Sequence, residues 1–406
     1  MMRHTRKIGL GAALLGAPGC LFDPSSSVEV AAGTTDSSGH SASGSGASGS
    51  GAADGGAAST VTTGAGAELD TAGSTGPAQC DAPVEVPIVA PAVALVLDKS
   101  GSMGSGLFNL WDHDGDPQTP LQTRWESLHA VVAAAAIRFD RAMNLGLVLF
   151  PATWATGTYD EGACPVSAFA DVPVGPRNAA AIVAVLPPAQ ATSEIQGATP
   201  TALAIATARD ELQGVGDDRP RYIVLVTDGA ANCHIGAPDG KSLLEVYDPD
   251  VLPAVADALA AGIPTHVVGI GVDDFVSTSA MDGQPDKINP HAKLDELAVA
   301  GGVPRDGQPR FFDARDEAGL RAALETIAAE ILDCTVDLDA PPGPDEIVEV
   351  SVGGRDFGAT QVSDCDITDG WRFTTKERDR IALCGQACAD FRVEGALWLT
   401  RCPGEP

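Results

Sequence analysis

Basic residues are scarce in this chain: 25 Lys and Arg stand against 55 Asp and Glu in 406 residues, a formal charge of −30. Phosphate backbones and anionic headgroups are bound through Lys and Arg, so this balance argues against nucleic acid and against adsorption to a membrane surface. Its ordinary meaning is solubility. Beyond the amino terminus there is no apolar run long enough to cross a bilayer. The seven histidines form no H-E-x-x-H or similar constellation. Neither Ser100 nor Ser102 has a neighbouring histidine, so the residues for a nucleophile–base pair or a metal-activated water are missing. The expectation is a protein that is not an enzyme. Paired C-x-x-C spacing is absent too, which makes the lone Cys384-x-x-x-Cys388 a poor zinc site.

What is present begins with an export signature over residues 1–19. Arg3, Arg6 and Lys7 precede a short apolar stretch, residues 8–17, too short to remain as a membrane helix. Ala17-Pro18-Gly19-Cys20 sets small residues before a cysteine and resembles a bacterial lipobox. The resemblance implies that Cys20 becomes the lipidated first residue of the mature chain, with acyl chains as its only hold on a membrane. Ordinary signal cleavage with an incidental Cys20 is the alternative. Loss of the signal removes three positive charges and no acid, taking −30 to −33. Residues 20–79 are otherwise almost wholly Ser, Gly, Ala and Thr, with too little apolar surface to offset the entropy of ordering. Such a coil is a flexible tether with an average span of about 40–45 Å. The implied location is the bacterial cell envelope, lipid-anchored at the outer membrane or cell surface, or else secreted.

Of nine cysteines, setting Cys20 aside leaves Cys80, Cys164, Cys233, Cys334, Cys365, Cys384, Cys388 and Cys402. An even set behind an export signal reads as disulfides. Residues 80–333 alternate strand-like and helix-like patterns. Strands are expected at 92–97, 145–150, 222–227, 264–270 and 310–313, and helices at 125–143, 178–186, 201–212, 251–261, 291–300 and 317–332. This order predicts an α/β domain, a doubly wound, mostly parallel sheet flanked by helices. Residues 334–406 carry five of those eight cysteines among short strand candidates at 347–352, 370–374, 380–383 and 395–399. They read as a small β-rich, disulfide-stapled module, with Cys80 placed to tie the leading segment to it.

The aliphatic strand at 92–97 runs into Asp98-Lys99-Ser100-Gly101-Ser102, and the strand at 222–227 ends in Thr227-Asp228-Gly229. Thr199 lies in a loop between them. In a doubly wound sheet, ligands bind just outside the carboxyl ends of the strands, where Asp98 and Asp228 fall. Hard divalent cations take carboxylate and hydroxyl oxygens and keep several waters. Over residues 92–332 this arrangement resembles the von Willebrand factor type A (VWA) domain and its metal-ion-dependent adhesion site, or MIDAS. The resemblance implies Ser100 and Ser102 as direct ligands of Mg²⁺ or Mn²⁺, Asp98 and Asp228 binding directly or through water, and Thr199 joining in some conformations. It also implies a partner protein whose exposed Asp or Glu completes the metal's shell. The plainer alternative is that these residues cap the following helix and turns.

Asp112, Asp114 and Asp116 alternate as in a Ca²⁺ loop, but the EF-hand comparison fails because Gly115 is at the wrong position and Thr123 stands where a bidentate Glu belongs. A solvated acidic turn is the other reading. Cys164 and Cys233 should both lie near the metal-bearing end, making Cys164–Cys233 the favoured pair. His234 reads as solvent-facing, and Trp111 and Trp154 as either exposed anchors or packing residues. Together these features point to a non-catalytic, metal-dependent adhesion lipoprotein. A metal-dependent hydrolase, or a structural protein acting through its C-terminal module, are the competing classes.

Overall fold

A computed structural model describes residues 79–404, apart from positions 105, 107, 108 and 366. The expected signal, Cys20 and nearly all of the tether lie outside the described residues. The described residues belong to one compact unit. Among them no helix is long and apolar enough to cross a membrane.

The chain enters as β1 (Val84–Val86) and continues into β2 (Ala92–Asp98), which is buried at every position. A short antiparallel ribbon, β3 (Leu110–Trp111) with β4 (Gln122–Thr123), leads into α1 (Arg124–Phe139). That helix starts where it does because Thr123 and Glu126 close a capping box, each side chain accepting the other's backbone N–H. Next come β5 (Asn144–Phe150), β6 (Val172–Gly175), α2 (Ala179–Val185) and α3 (Thr201–Gln213). They are followed by β7 (Arg221–Thr227), α4 (Gly240–Leu244), α5 (Val251–Ala260) and β8 (Thr265–Ile270). The α/β part closes with α6 (Pro290–Ala300), β9 (Phe312–Ala314) and α7 (Glu317–Ile331).

These strands form one six-stranded sheet in the order β6-β5-β2-β7-β8-β9, parallel throughout except for β6. Strand periodicity divides the core between its two faces. Val93, Leu95 and Leu97 of β2 pack with Leu128, Val132 and Leu324 of the α1 and α7 layer. Ala92, Ala94 and Val96 pack with Ile205, Val255 and Leu297 of the α3, α5 and α6 layer. With both faces covered, β2 can carry a polar group only at its end, and that group is Asp98. The strand order reverses between β2 and β7, which makes their carboxyl ends the sheet's switch-point crevice.

The remaining chain supplies β10 (Thr335–Asp337), β11 (Ile347–Val352), β12 (Arg355–Asp356), β13 (Gly370–Phe373), β14 (Arg380–Cys384), α8 (Gln386–Glu394) and β15 (Leu397–Cys402). They build two antiparallel sheets, β1-β15-β11-β12 and β10-β14-β13, around a third core centred on Val350, Trp371, Ile381 and Leu397. The leading segment is therefore part of this module's sheet. Disulfides Cys80–Cys402, Cys334–Cys388 and Cys365–Cys384 staple it. Helix α8 was not expected from the sequence: it buries only Ala387 and Phe391, too few apolar positions to register a helical period. Helix α1 also stops at Phe139 rather than running on to 143, because the chain must turn there to deliver Asn144 to the sheet.

The module docks on the α/β part through a narrow seam. Arg392 donates to the carbonyls of Ala329 and Leu332 at the end of α7, at 3.0 and 3.2 Å, and Arg141 pairs with Glu394 at 2.5 Å. Gly395 ends α8 in the left-handed region at φ 61°, and a Cβ there would lie 2.5 Å from the Arg141 carbonyl. Backbone conformation and space both demand glycine. Gly395→Ala should lose about 2–4 kcal/mol in denaturant unfolding; a loss below about 0.5 kcal/mol would mean the seam is not close-packed.

Candidate metal centre

Asp98, at the end of β2, and Ser100 are almost completely buried. The Ser100 N–H donates to Asp98 Oδ1 at 2.7 Å, and the Thr227 hydroxyl donates to Asp98 Oδ2 at 2.6 Å. These two bonds fix the carboxylate across the gap between β2 and β7. The Ser100 and Ser102 hydroxyl oxygens stand 3.0 Å apart, and the Ser102 hydroxyl donates to Asp228 Oδ1 at 2.8 Å. Four of the five expected site residues thus form one hydrogen-bonded chain. Among the described residues no hydrogen bond joins Thr199 to that chain. Its loop is drawn alongside, because the Gly101 N–H donates to the Gly197 carbonyl at 3.0 Å. The Thr199 backbone is then pinned to the loop after β7, its N–H donating to Asn232 Oδ1 at 2.8 Å.

Two buried carboxylates facing one crevice disfavour each other's charge. Burial, then the Asp228 charge, push the Asp98 carboxyl up to about 7, against the restraining bonds from Thr227 and Ser100. Burial also raises Asp228, opposed by the Arg124 guanidinium and the Ser102 bond. Two basic residues that the sequence left unassigned lie close by. Arg124, the first residue of α1, reaches Asp228 Oδ2 at 3.3 Å. Lys99 is fully buried, donates to the Glu194 carbonyl at 3.0 Å, and is pulled down to about 8 by desolvation. Neither has a signal in the linear motif, since a lysine in a loop and an arginine at a helix start both read as solvated.

The donor set suits a small hard cation. It consists of carboxylate and hydroxyl oxygens, without thiol or imidazole. Octahedral Mg²⁺ with oxygens at about 2.0–2.1 Å requires neighbouring oxygens about 2.9 Å apart. The two separations present here, 3.0 and 2.8 Å, are ordinary O–H···O hydrogen-bond lengths that such a shell could also accommodate.

The other nominated residues fall elsewhere. Asp112, Asp114 and Asp116 each accept a backbone N–H of their own turn, from Gly115, Asp116 and Gln118, and Asp114 also takes the Thr119 hydroxyl. Among the described residues they do not form a converging acidic group; His234, Asp248 and Asp250 do, with His234 Nδ1 2.8 Å from Asp250 and 3.7 Å from Asp248. His234 is thus engaged with two acids rather than simply facing solvent. The Cys164–Cys233 disulfide sits in a small core with Ala198, Leu243 and Leu244 and braces the loops beside the crevice. Trp111 is buried and donates to the Ser127 hydroxyl at 3.2 Å, whereas Trp154 is 61% exposed.

No protein-family model matches the chain, and no curated protein matches it. Solved structures do resemble it at low identity. The pilus adhesin SpaC from Lactobacillus rhamnosus GG aligns with 15% identity and a TM-score of 0.46 over 78% of this chain, which spans 40% of the adhesin's length. BatB, a conserved hypothetical protein from Bacteroides thetaiotaomicron, aligns with 16% identity and a TM-score of 0.38, over 60% of this chain and 98% of BatB. The PilB minor pilin from Streptococcus sanguinis gives 19% identity and a TM-score of 0.37, covering 60% of this chain and 62% of the pilin.

The raised Asp98 carboxyl generates a signed pH dependence. Between roughly pH 4 and 7 the native state holds a proton that the unfolded chain has released, so metal-free stability falls as pH rises through that window. In EDTA the unfolding midpoint of the parent protein should drop from pH 4.5 to 7.5, and Asp98→Asn should remove much of the drop. Equal slopes in the two proteins would refute the assignment.

Proposed function

We propose that this chain is a VWA-type, non-catalytic binding protein whose Asp98, Ser100, Ser102, Thr199 and Asp228 hold Mg²⁺ or Mn²⁺ and capture an acidic partner. The observation that supports the reading is the gathering of Asp98, Ser100, Ser102 and Asp228 into one hydrogen-bonded chain of carboxylate and hydroxyl groups in the switch-point crevice. Bound there, the ion would supply Lewis acidity toward a carboxylate oxygen of a partner Asp or Glu.

The chain's own residues do the rest. Thr227 and the Ser100 N–H orient Asp98, so its remaining lone pairs are presented without rotamer freedom. The Ser100 and Ser102 hydroxyls are bonded to each other and to Asp228 rather than to an imidazole, which supports ligation over nucleophilic catalysis. The Cys164–Cys233 bond and the Asn232 contacts restrain the Thr199 loop, keeping the rim organised before a partner arrives. Four disulfides among the described residues support an exported protein, in keeping with the signal and the lipidation expected at Cys20. The tether would then hold the crevice clear of the membrane surface.

Thermal unfolding with and without Mg²⁺ tests this reading. At about 100 times its dissociation constant, a ligand of the native state adds about 2.7 kcal/mol. Asp98→Ala and a Ser100→Ala/Ser102→Ala double variant should lose that gain, and EDTA should abolish partner capture from envelope extracts. Identical melting curves with Mg²⁺ and with EDTA would sink the metal reading. Capture unaffected by EDTA would point to the C-terminal module as the contacting surface.

A further inference from the structure

Arg124 is an unusual neighbour for a cation site. The capping box fixes the start of α1 and so delivers this side chain to the crevice. Its Nη1 donates to Asp228 Oδ2 at 3.3 Å and to the Ser102 carbonyl at 3.2 Å, and its Nη2 reaches the Gly271 carbonyl at 3.4 Å. Arg124 is 14% exposed at its side chain and Asp228 only 1%, so the pair is screened from water. Its Nε is buried with no hydrogen-bond partner among the described residues. An orphaned N–H is costly, and turning the side chain outward would relieve it. The guanidinium stays because its contact with Asp228 and the two carbonyls outweighs that cost.

Asp228 is divided between two partners. Its Oδ1 takes the Ser102 hydroxyl, on the side of the hydroxyl ligands, and its Oδ2 takes Arg124. The arginine therefore need not leave for an ion to be held beside Ser100 and Ser102; the two cations would share one carboxylate. Arg124 places a positive charge directly on a carboxylate that the ion would share, so a divalent ion there meets less negative charge than it would without Arg124. A positive charge in a screened crevice repels the ion and attracts an anion.

We propose that Arg124 is a built-in counter-cation that weakens divalent-ion binding on its own and makes it depend on an acidic ligand. This rests on the metal reading above. The ion and the ligand carboxylate then favour each other's binding reciprocally, and a crevice without a ligand holds its ion loosely.

Calorimetric titration of MnCl₂ into the intact protein tests this, using parent, Arg124→Gln and Arg124→Lys in chloride and in acetate buffers of equal ionic strength. Acetate is the carboxylate probe. The parent should bind Mn²⁺ at least threefold more tightly in acetate. R124Q should bind Mn²⁺ at least tenfold more tightly than the parent in chloride and gain little from acetate. R124K keeps the charge and should follow the parent, which a purely structural role for the planar guanidinium would not allow. If the parent binds Mn²⁺ but R124Q binds it no more tightly, the inference is overturned and the metal reading stands. Absence of Mn²⁺ binding in every protein overturns both. Should R124Q fail to fold by circular dichroism, the parent decides: no gain from acetate overturns the inference.

Discussion

Everything at the functional end of this molecule depends on burying two carboxylates where the sheet reverses direction. Asp98 and Asp228 lie at the carboxyl ends of adjacent central strands, and both are buried. An isolated buried carboxylate is expensive, so each is surrounded by donors. Thr227 and the Ser100 N–H serve Asp98, while Ser102 and Arg124 serve Asp228. Those donors also line the crevice in which Asp98, Ser100, Ser102 and Asp228 meet.

The rest of the structure reads as support for that crevice. The Cys164–Cys233 disulfide and Asn232 tie the loops after β5 and β7 to the Thr199 loop. On another side, α1 is held at its start by a capping box and at its far end by contact with the C-terminal module through Arg141 and Glu394. The module in turn encloses the chain's entry, since β1 pairs with β15 and Cys80 bonds to Cys402. Its first and last strands, β1 and β15, are thereby locked together.

Much of this was legible in the sequence for a simple reason. Strands buried on both faces must be continuous aliphatic runs, so β2, β5, β7 and β8 announce themselves, and the oxygens at their ends follow directly in the chain. The two loops joined by Cys164–Cys233 leave the same end of the sheet, so topology alone could nominate that pair. Arg124 was not legible, because its role depends on a side chain crossing from a helix start to another strand's end. Lys99 was not legible either, because a lysine in a loop reads as solvated and this one is fully buried. The pairing of the module's cysteines depends on three-dimensional neighbours that short, irregular strands do not encode. Helix α8 escaped because its stabilisation comes from Cys388, Ala387 and Phe391 meeting the module core, not from a repeating apolar face.

The most direct measurement is a crystal structure of the protein grown with MnCl₂, using anomalous scattering to locate the metal. The account predicts one strong peak in the crevice, within bonding reach of the Ser100 and Ser102 hydroxyls, with Arg124 still on Asp228 Oδ2. An ordered crevice without a peak, or metal found only at His234, Asp248 and Asp250, would contradict it.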